Sequence, residues 1–152
     1  MRREILFRGK RIDNGEWVYG LTLQRPSSVD PQHAKQLFLT PDGYSFPLMI
    51  DEDTVCQYTG LTDKEGKKIF DGDIIRRKVY VYSLGRIKPD KERMLIGVVE
   101  WYNDGINAGH WTISAKDEHD NPTKYYFDNS YDVIGNIFDN PDLLPASSTD
   151  TD

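Results

Sequence analysis

Three features are scarce in this sequence: cysteine, long apolar runs and helical periodicity. Cys56 is the only cysteine among 152 residues, so an intramolecular disulfide is excluded and a reducing cytoplasm is the expected compartment. No apolar run approaches the roughly 18 residues that cross a membrane. The N-terminal residues also lack the apolar stretch of a secretory signal. We therefore expect a cytoplasmic protein that makes no membrane contact.

What the sequence has in abundance are strand-forming residues. Aromatic residues make up 12% of the chain, including nine Tyr and six Phe. Such residues favour strands over helices. The length fits one domain. We expect residues 1–145 to form a single β domain and residues 146–152 to form a disordered polar tail.

Short segments rich in strand formers alternate with Gly, Asp and Asn turns. The predicted strands are Glu4–Phe7, Trp17–Leu23, Gln36–Thr40, a hairpin over Thr59–Phe70, Ile74–Val81, Met94–Tyr102, His110–Ser114, Lys124–Phe127 and Tyr131–Phe138. One short helical turn is expected at Asn140–Leu144. This pattern predicts a mainly β fold, an SH3-like barrel or curled antiparallel sheet with additional strands and little helix.

The glycines between Gln57 and Asp73 are predicted to be structural. Gly60, Gly66 and Gly72 recur every six residues, but a phosphate-binding loop requires a helix after its glycines, and none is expected here. Gly66 suits the left-handed position of a hairpin turn. Gly72 suits a second tight turn, after which Asp73 is expected to bond nearby backbone amides and hold the corner.

Four segments together resemble the YopX family. They are Arg3–Arg8, Gln57–Ile75, Gly97–Trp101 and Tyr131–Leu144. The segments Gln57–Ile75 and Tyr131–Leu144 are long and carry the most specific part of the resemblance. The resemblance implies a mostly β fold with an SH3-like component, encoded by a bacteriophage or prophage and present in the cytoplasm of the bacterial host. It implies no established activity, cofactor or catalytic residue.

Charge is distributed unevenly along the chain. The net charge is −6, which disfavours sequence-independent binding to nucleic acid. From Arg76 to Arg93, however, seven basic residues stand against two acidic ones, whereas Asp117 to Asp152 holds nine acidic residues and one lysine. We expect these opposite charges to lie in separate patches.

The basic segment is the best candidate binding surface. Strand alternation predicts that Arg76, Lys78, Tyr80 and Tyr82 share one face, opposite Arg77, Val79 and Val81. The full set of candidate binding residues is Arg76, Lys78, Tyr80, Tyr82, Arg86, Lys88, Lys91 and Arg93. Basic and aromatic residues on paired strands suit single-stranded nucleic acid. The alternative is a solvated hairpin whose charges keep a strand edge from pairing.

No catalytic residue, metal site or cofactor is predicted. Cys56 has no recognisable base near it in sequence and is expected to be a half-buried structural thiol near a strand. His110 and His119 lie nine residues apart, unlike the close ligand pairs of zinc sites. The run Asp51-Glu52-Asp53 is expected to be an exposed loop, and Asp71-Gly72-Asp73 a corner.

The expected function follows from this pattern. The chain is predicted to be a non-enzymatic phage or prophage accessory protein that acts by binding another protein or a second copy of itself. The alternative is a β-barrel that binds single-stranded nucleic acid through the Arg76–Arg93 hairpin.

Overall fold

The computed structural model describes residues 4–25, 36–89, 91–103, 105–106, 109–117, 119–128 and 130–145. Strands dominate this part of the chain. They are β1 (Phe7–Lys10), β2 (Trp17–Gln24), β3 (Gln36–Pro41), β4 (Leu48–Asp51), β5 (Cys56–Thr62), β6 (Lys68–Phe70), β7 (Asp73–Val81), β8 (Lys91–Tyr102), β9 (His110–Lys116), β10 (Pro122–Tyr125) and β11 (Asp132–Asn136). Two 3-10 helices span Glu52–Thr54 and Pro141–Leu143.

The strands form two antiparallel sheets with the orders β4-β3-β2-β1-β5-β6 and β10-β9-β8-β7-β11. The prediction of a mainly β fold with little helix is confirmed. The SH3-like barrel is not confirmed, because the described strands close no barrel. The helical turn predicted near the C-terminus is present, with Pro141 at its start.

Several predicted boundaries differ from the structure. The first strand begins at Phe7 instead of Glu4, and β8 begins at Lys91 instead of Met94. β4 was not predicted, because four residues carry little pattern. Asp51 to Asp53 is also more than a loop: the Asp51 carboxylate accepts from the Asp53 N–H at 3.0 Å and caps the first 3-10 helix.

The chain divides into two compact units, Met1–Gly60 and Leu61–Asp152, with the boundary inside β5. In the first unit, Leu39, Ile50, Cys56 and Tyr58 are buried hydrophobic residues. The single-domain expectation stays a prediction. The proposed tail at residues 146–152 lies outside the described residues.

In the second unit, alternation along the strands creates one apolar face. Ile75 on β7, Val99 on β8 and Ile113 on β9 are fully buried. They belong to one cluster that is completed by Ile69, Leu95, Ala115 and Tyr131. The opposite face is only partly exposed: Ile74 and Thr112 are buried there, whereas Arg76 and Lys78 of β7 are exposed.

The corner that leads into β7 has the predicted geometry. Gly72 has a φ of +82°, the left-handed region that L side chains rarely adopt. Its N–H donates to the Val99 carbonyl at 2.9 Å, and its own carbonyl accepts from the Ile137 N–H at 3.0 Å. The buried carboxylate of Asp73 accepts from the Phe70 N–H at 2.8 Å. This corner therefore fixes the direction in which β7 leaves the core.

The β5–β6 turn also has the predicted form. Gly66 has a φ of +87°, and its N–H donates to the Asp63 carbonyl at 3.0 Å. Gly60, inside β5, has the same φ. Gly66 and Gly72 therefore lie in the predicted turns, whereas Gly60 lies within a strand and not in a turn as predicted, although its positive φ also suits glycine.

Candidate functional site

The candidate site is the two-stranded end of the β7–β8 hairpin, residues 76–89 and 91–95, here called the basic ribbon. Its register pairs Lys78 with Met94 and Tyr80 with Glu92. On the other side of β7, β11 pairs only as far as Arg76. From Arg77 to Val81, the edge of β7 that faces away from β8 therefore pairs with no strand among the described residues.

On the outer face of the ribbon, alternation within β7 is as predicted, but the strand ends at Val81 and does not include Tyr82. Arg76, Lys78 and Tyr80 are exposed, whereas the residues between them are half-buried. Met94 and Glu92 lie opposite Lys78 and Tyr80 on the same face. Lys78 Nζ lies 3.5 Å from the Glu92 carboxylate, an exposed pair that contributes little stability.

On the inner face, the cationic side chain forms contacts with other residues of the protein. Arg77 Nη1 lies 2.6 Å from an Asp128 carboxylate oxygen, and its guanidinium lies 5.4 Å from the centre of the Tyr131 ring. Burial opposes ionisation of Asp128. Even so, hydrogen bonds from Ser130 and the charge of Arg77 hold the pKa of Asp128 below its ordinary value.

Arg93 also belongs to the inner face, although the sequence placed it with the binding residues. It lies opposite Val79, and its guanidinium donates to the Lys116 carbonyl at 2.8 Å. Directly paired residues of an antiparallel ladder share a face, so Arg93 is separated from Arg76 and Lys78. Lys91 is exposed at the start of β8, not in the loop.

The tip of the ribbon, residues 82–89, exposes apolar side chains that the sequence interpretation overlooked. Leu84 and Ile87 are essentially fully exposed, and Tyr82 is 55% exposed. Arg86 and Lys88, two predicted binding residues, are exposed beside them. The sequence did contain a signal for this apolar tip, because Leu84 and Ile87 are two aliphatic residues in an otherwise polar and charged loop.

A cavity of about 220 Å³ lies where the outer face meets the segment before β11. Its charged and polar lining residues are Lys64, Arg76, Arg77, Lys78, Ser130 and Asp132. Lys64 Nζ lies 3.0 Å from the Asp132 carboxylate. The Arg76 side chain makes no hydrogen bond or ion pair with any residue that the structure describes.

The remaining residues considered for catalysis or metal binding make contacts that stabilise the fold. Cys56 is more deeply buried than predicted, and its thiol donates to the Thr54 carbonyl at 3.2 Å. The His110 ring stacks on Tyr126. Asp117 accepts from the N–H groups of His119 and Asn121, both at 2.9 Å. Within the described ranges, no three His, Cys, Asp or Glu residues converge on a metal position.

The family model described as YopX protein matches residues 6–145. The chain belongs to the YopX family. This YopX-family protein is also similar to a solved structure, the crystal structure of protein EF1440 from Enterococcus faecalis. The identity is 23%, the TM-score is 0.46, and the match covers 95% of this chain and 100% of the other. No curated protein matches the chain.

The match over residues 6–145 includes the basic ribbon, so the ribbon belongs to the YopX-like part of the chain. None of the helices in the described residues of this YopX-family protein has the length and apolar character needed to span a bilayer.

Proposed function

We propose that this YopX-family chain is a non-enzymatic phage or prophage accessory protein that binds another protein through the tip of its basic ribbon. The observation that carries the proposal is the near-complete exposure of Leu84 and Ile87 at the end of a two-stranded ribbon. Single exposed hydrophobic residues are ordinary on protein surfaces. Two aliphatic side chains on one short tip beside an exposed tyrosine are instead typical of a contact surface.

The neighbouring residues have the composition of a protein interface. Tyr82 precedes the aliphatic pair and Arg86 lies between its two members, and tyrosine and arginine are enriched where proteins meet. In the described tip, one backbone hydrogen bond joins Arg86 N–H to the Ser83 carbonyl at 3.1 Å, which holds a turn between the two strands. The tip therefore presents its apolar side chains from a partly organised backbone.

The environment of Cys56 disfavours a role for this thiol as a nucleophile. A catalytic thiolate needs a base within reach and access for a substrate. The Cys56 thiol is buried, and it donates to a backbone carbonyl. The phage or prophage assignment rests on membership of the YopX family, since that origin is what the resemblance implies.

Site-specific photocrosslinking in cells that express the protein from its phage or prophage tests the proposal. A photoreactive residue at Ile87 is expected to crosslink one partner protein. The same residue at Ile106, an equally exposed aliphatic position elsewhere, is the matched control and is expected not to do so. The purified partner should then bind the Leu84→Ser, Ile87→Ser double variant at least about tenfold more weakly than wild type.

Two results contradict this proposal. Equal crosslinking from positions 87 and 106 shows that the tip is not a specific contact. Crosslinking of one copy to another, together with a dimer in light scattering that dissociates as salt rises, shows self-association between the basic and acidic parts of the chain instead.

A second candidate function is binding of single-stranded nucleic acid, and the shared outer face of Arg76, Lys78 and Tyr80 favours it. Cations track the phosphates and an aromatic ring stacks on bases in such sites. Fluorescence anisotropy with a labelled oligonucleotide should show binding that weakens steeply with salt. If no binding occurs at low salt, or if Arg76→Glu with Lys78→Glu binds as wild type does, this candidate fails.

A further inference from the structure

The cavity beside Arg76 has one cation whose charge is not matched by the residues around it. Lys64 pairs with Asp132 at 3.0 Å, and Arg77 pairs with Asp128 at 2.6 Å. Arg76 lies between these pairs and has no acceptor among the described residues. The cavity therefore offers a guanidinium that an external anion can reach.

A guanidinium matches one anionic group well. Its planar fork donates two parallel hydrogen bonds to a carboxylate, and such bidentate pairs are stronger than neutral hydrogen bonds. Lys78 stands two residues further along the same exposed face, and its contact to Glu92 is long at 3.5 Å. A second acidic group along an extended ligand would therefore meet Lys78.

The strand next to the cavity is open to pairing. β11 ends its ladder with β7 at the pair Asp132 and Arg76. The chain departs from the line of β11 at Tyr131, whose side chain is buried in the core and packs against Phe127. Beyond Arg76, β7 presents backbone donors and acceptors along an edge that no described strand occupies. An added strand can use such an edge.

We propose that the cavity and the open edge of β7 together bind an extended acidic segment of a partner protein. The segment continues the line of β11 along β7, and one of its carboxylates binds Arg76. Side chains of an extended peptide alternate between two sides, so every second residue faces the cationic outer face. This inference deepens the proposed function, because it names the chemistry of a segment that the ribbon's protein partner would carry.

Charge favours an acidic peptide over a nucleic acid here. Asp132 lines the cavity, and Glu92 lies beside Lys78 on the same face. These carboxylates, interspersed with the cations, repel a continuous chain of phosphates. A peptide with spaced carboxylates instead places single charges near Arg76 and Lys78, and the residues between them face the other side of the strand.

A labelled peptide of repeated Asp-Val pairs, titrated with the full chain and followed by fluorescence anisotropy, tests this inference. Wild type is expected to bind it, and an Asn-Val peptide of the same length is expected to bind at least about tenfold more weakly. Methylation of the backbone nitrogens of the Asp-Val peptide should weaken binding similarly, because it removes the donors that pair with an edge strand.

The variants locate the site. Arg76→Gln should weaken binding of the Asp-Val peptide at least about tenfold. Arg25→Gln is the matched control, since it removes a guanidinium from an exposed ion pair with Glu52 in the other unit, and it should leave binding unchanged. Circular dichroism verifies that both variants fold. Equal binding by wild type and Arg76→Gln overturns the inference.

Two further results also overturn it. The first is binding of the methylated peptide as tightly as the parent peptide, and the second is tighter binding of an oligothymidylate than of the Asp-Val peptide. Failure here is distinguishable from failure of the proposed function. If the tip variant loses its crosslinked partner while the Asp-Val peptide does not bind, only the acidic-segment inference is wrong. If Ile87 crosslinks no partner, the proposed function fails irrespective of the peptide result.

Discussion

The carboxylate of Asp63 accepts a hydrogen bond from the backbone N–H of Val133, 70 residues further along the chain, at 3.2 Å. The same carboxylate accepts from the N–H groups of Glu65 and Lys67, both at 2.9 Å. One side chain thus closes the β5–β6 turn and attaches it to β11. The Lys64 N–H, which donates to the Tyr131 carbonyl at 3.0 Å, strengthens the same connection.

Replacement of Asp63 by alanine should lower the free energy of unfolding by roughly 2–4 kcal/mol, because three backbone donors lose their acceptor in a buried place. Urea unfolding followed by tryptophan fluorescence measures the change. Asp53→Ala is a suitable control, since that side chain is exposed, and it should cost less than about 0.5 kcal/mol. Equal losses in the two variants would show that Asp63 has no special structural role.

Stability should fall in acid partly through Asp63. Burial alone would raise the pKa of this carboxyl, but the N–H donors of Lys67, Val133 and Glu65 outweigh it and hold the pKa below its ordinary value. The unfolded chain therefore takes up this proton first, at about pH 3.9. The stabilisation is complete above that pH and is lost as pH falls through the folded pKa. Asp63→Asn should show a shallower loss of unfolding free energy between about pH 5 and pH 2, and parallel curves would contradict this prediction.

Gly72→Ala should destabilise the protein by about 1–2 kcal/mol, because alanine is strained at a φ of +82° and both backbone groups of Gly72 are hydrogen-bonded. Gly85, with a φ of +81° in the open tip, is the matched control. The tip backbone has room to relax, so Gly85→Ala should cost less. Thermal unfolding of the two variants compares them, and a larger loss at Gly85 would refute the role given to the corner.

Two neighbouring arginines should respond differently to removal. Arg77→Ala should cost about 1–2 kcal/mol of stability, because the side chain bonds Asp128 and covers the Tyr131 ring. Arg76→Ala should change stability by less than about 0.5 kcal/mol, because its side chain is exposed and bonds no described residue. Chemical unfolding of both variants tests this difference, which disappears if strand alternation does not separate the two side chains.

The Leu84→Ser, Ile87→Ser double variant should unfold with a free energy within about 0.5 kcal/mol of wild type, since both side chains are already in solvent. Calorimetry provides the measurement. A marked loss of stability would show that the tip packs against the rest of the chain, and it would remove the basis for treating the tip as a contact surface.

Local chemistry made much of this structure predictable. Gly66, Gly72 and Asp73 have the turn and corner roles expected of them, because positive φ and short-range carboxylate–amide bonds depend on few neighbouring residues. Alternation along β7 likewise placed Arg76, Lys78 and Tyr80 on one face. The short strand β4 and the start of β8 at Lys91 were missed, since pairing with neighbouring strands, not composition, determines them.

The amino-acid sequence by itself determined the mainly β class, the turns that follow Gly60 and the family. Each of these depends on residue type and spacing along the chain. Only the tertiary structure decided that the described strands form two open sheets, that Arg93 lies opposite Val79 on the inner face, and that Arg76 lies beside a cavity with Asp132. The physical reason is that register and edge coverage depend on residues far apart in the chain, which no local pattern specifies.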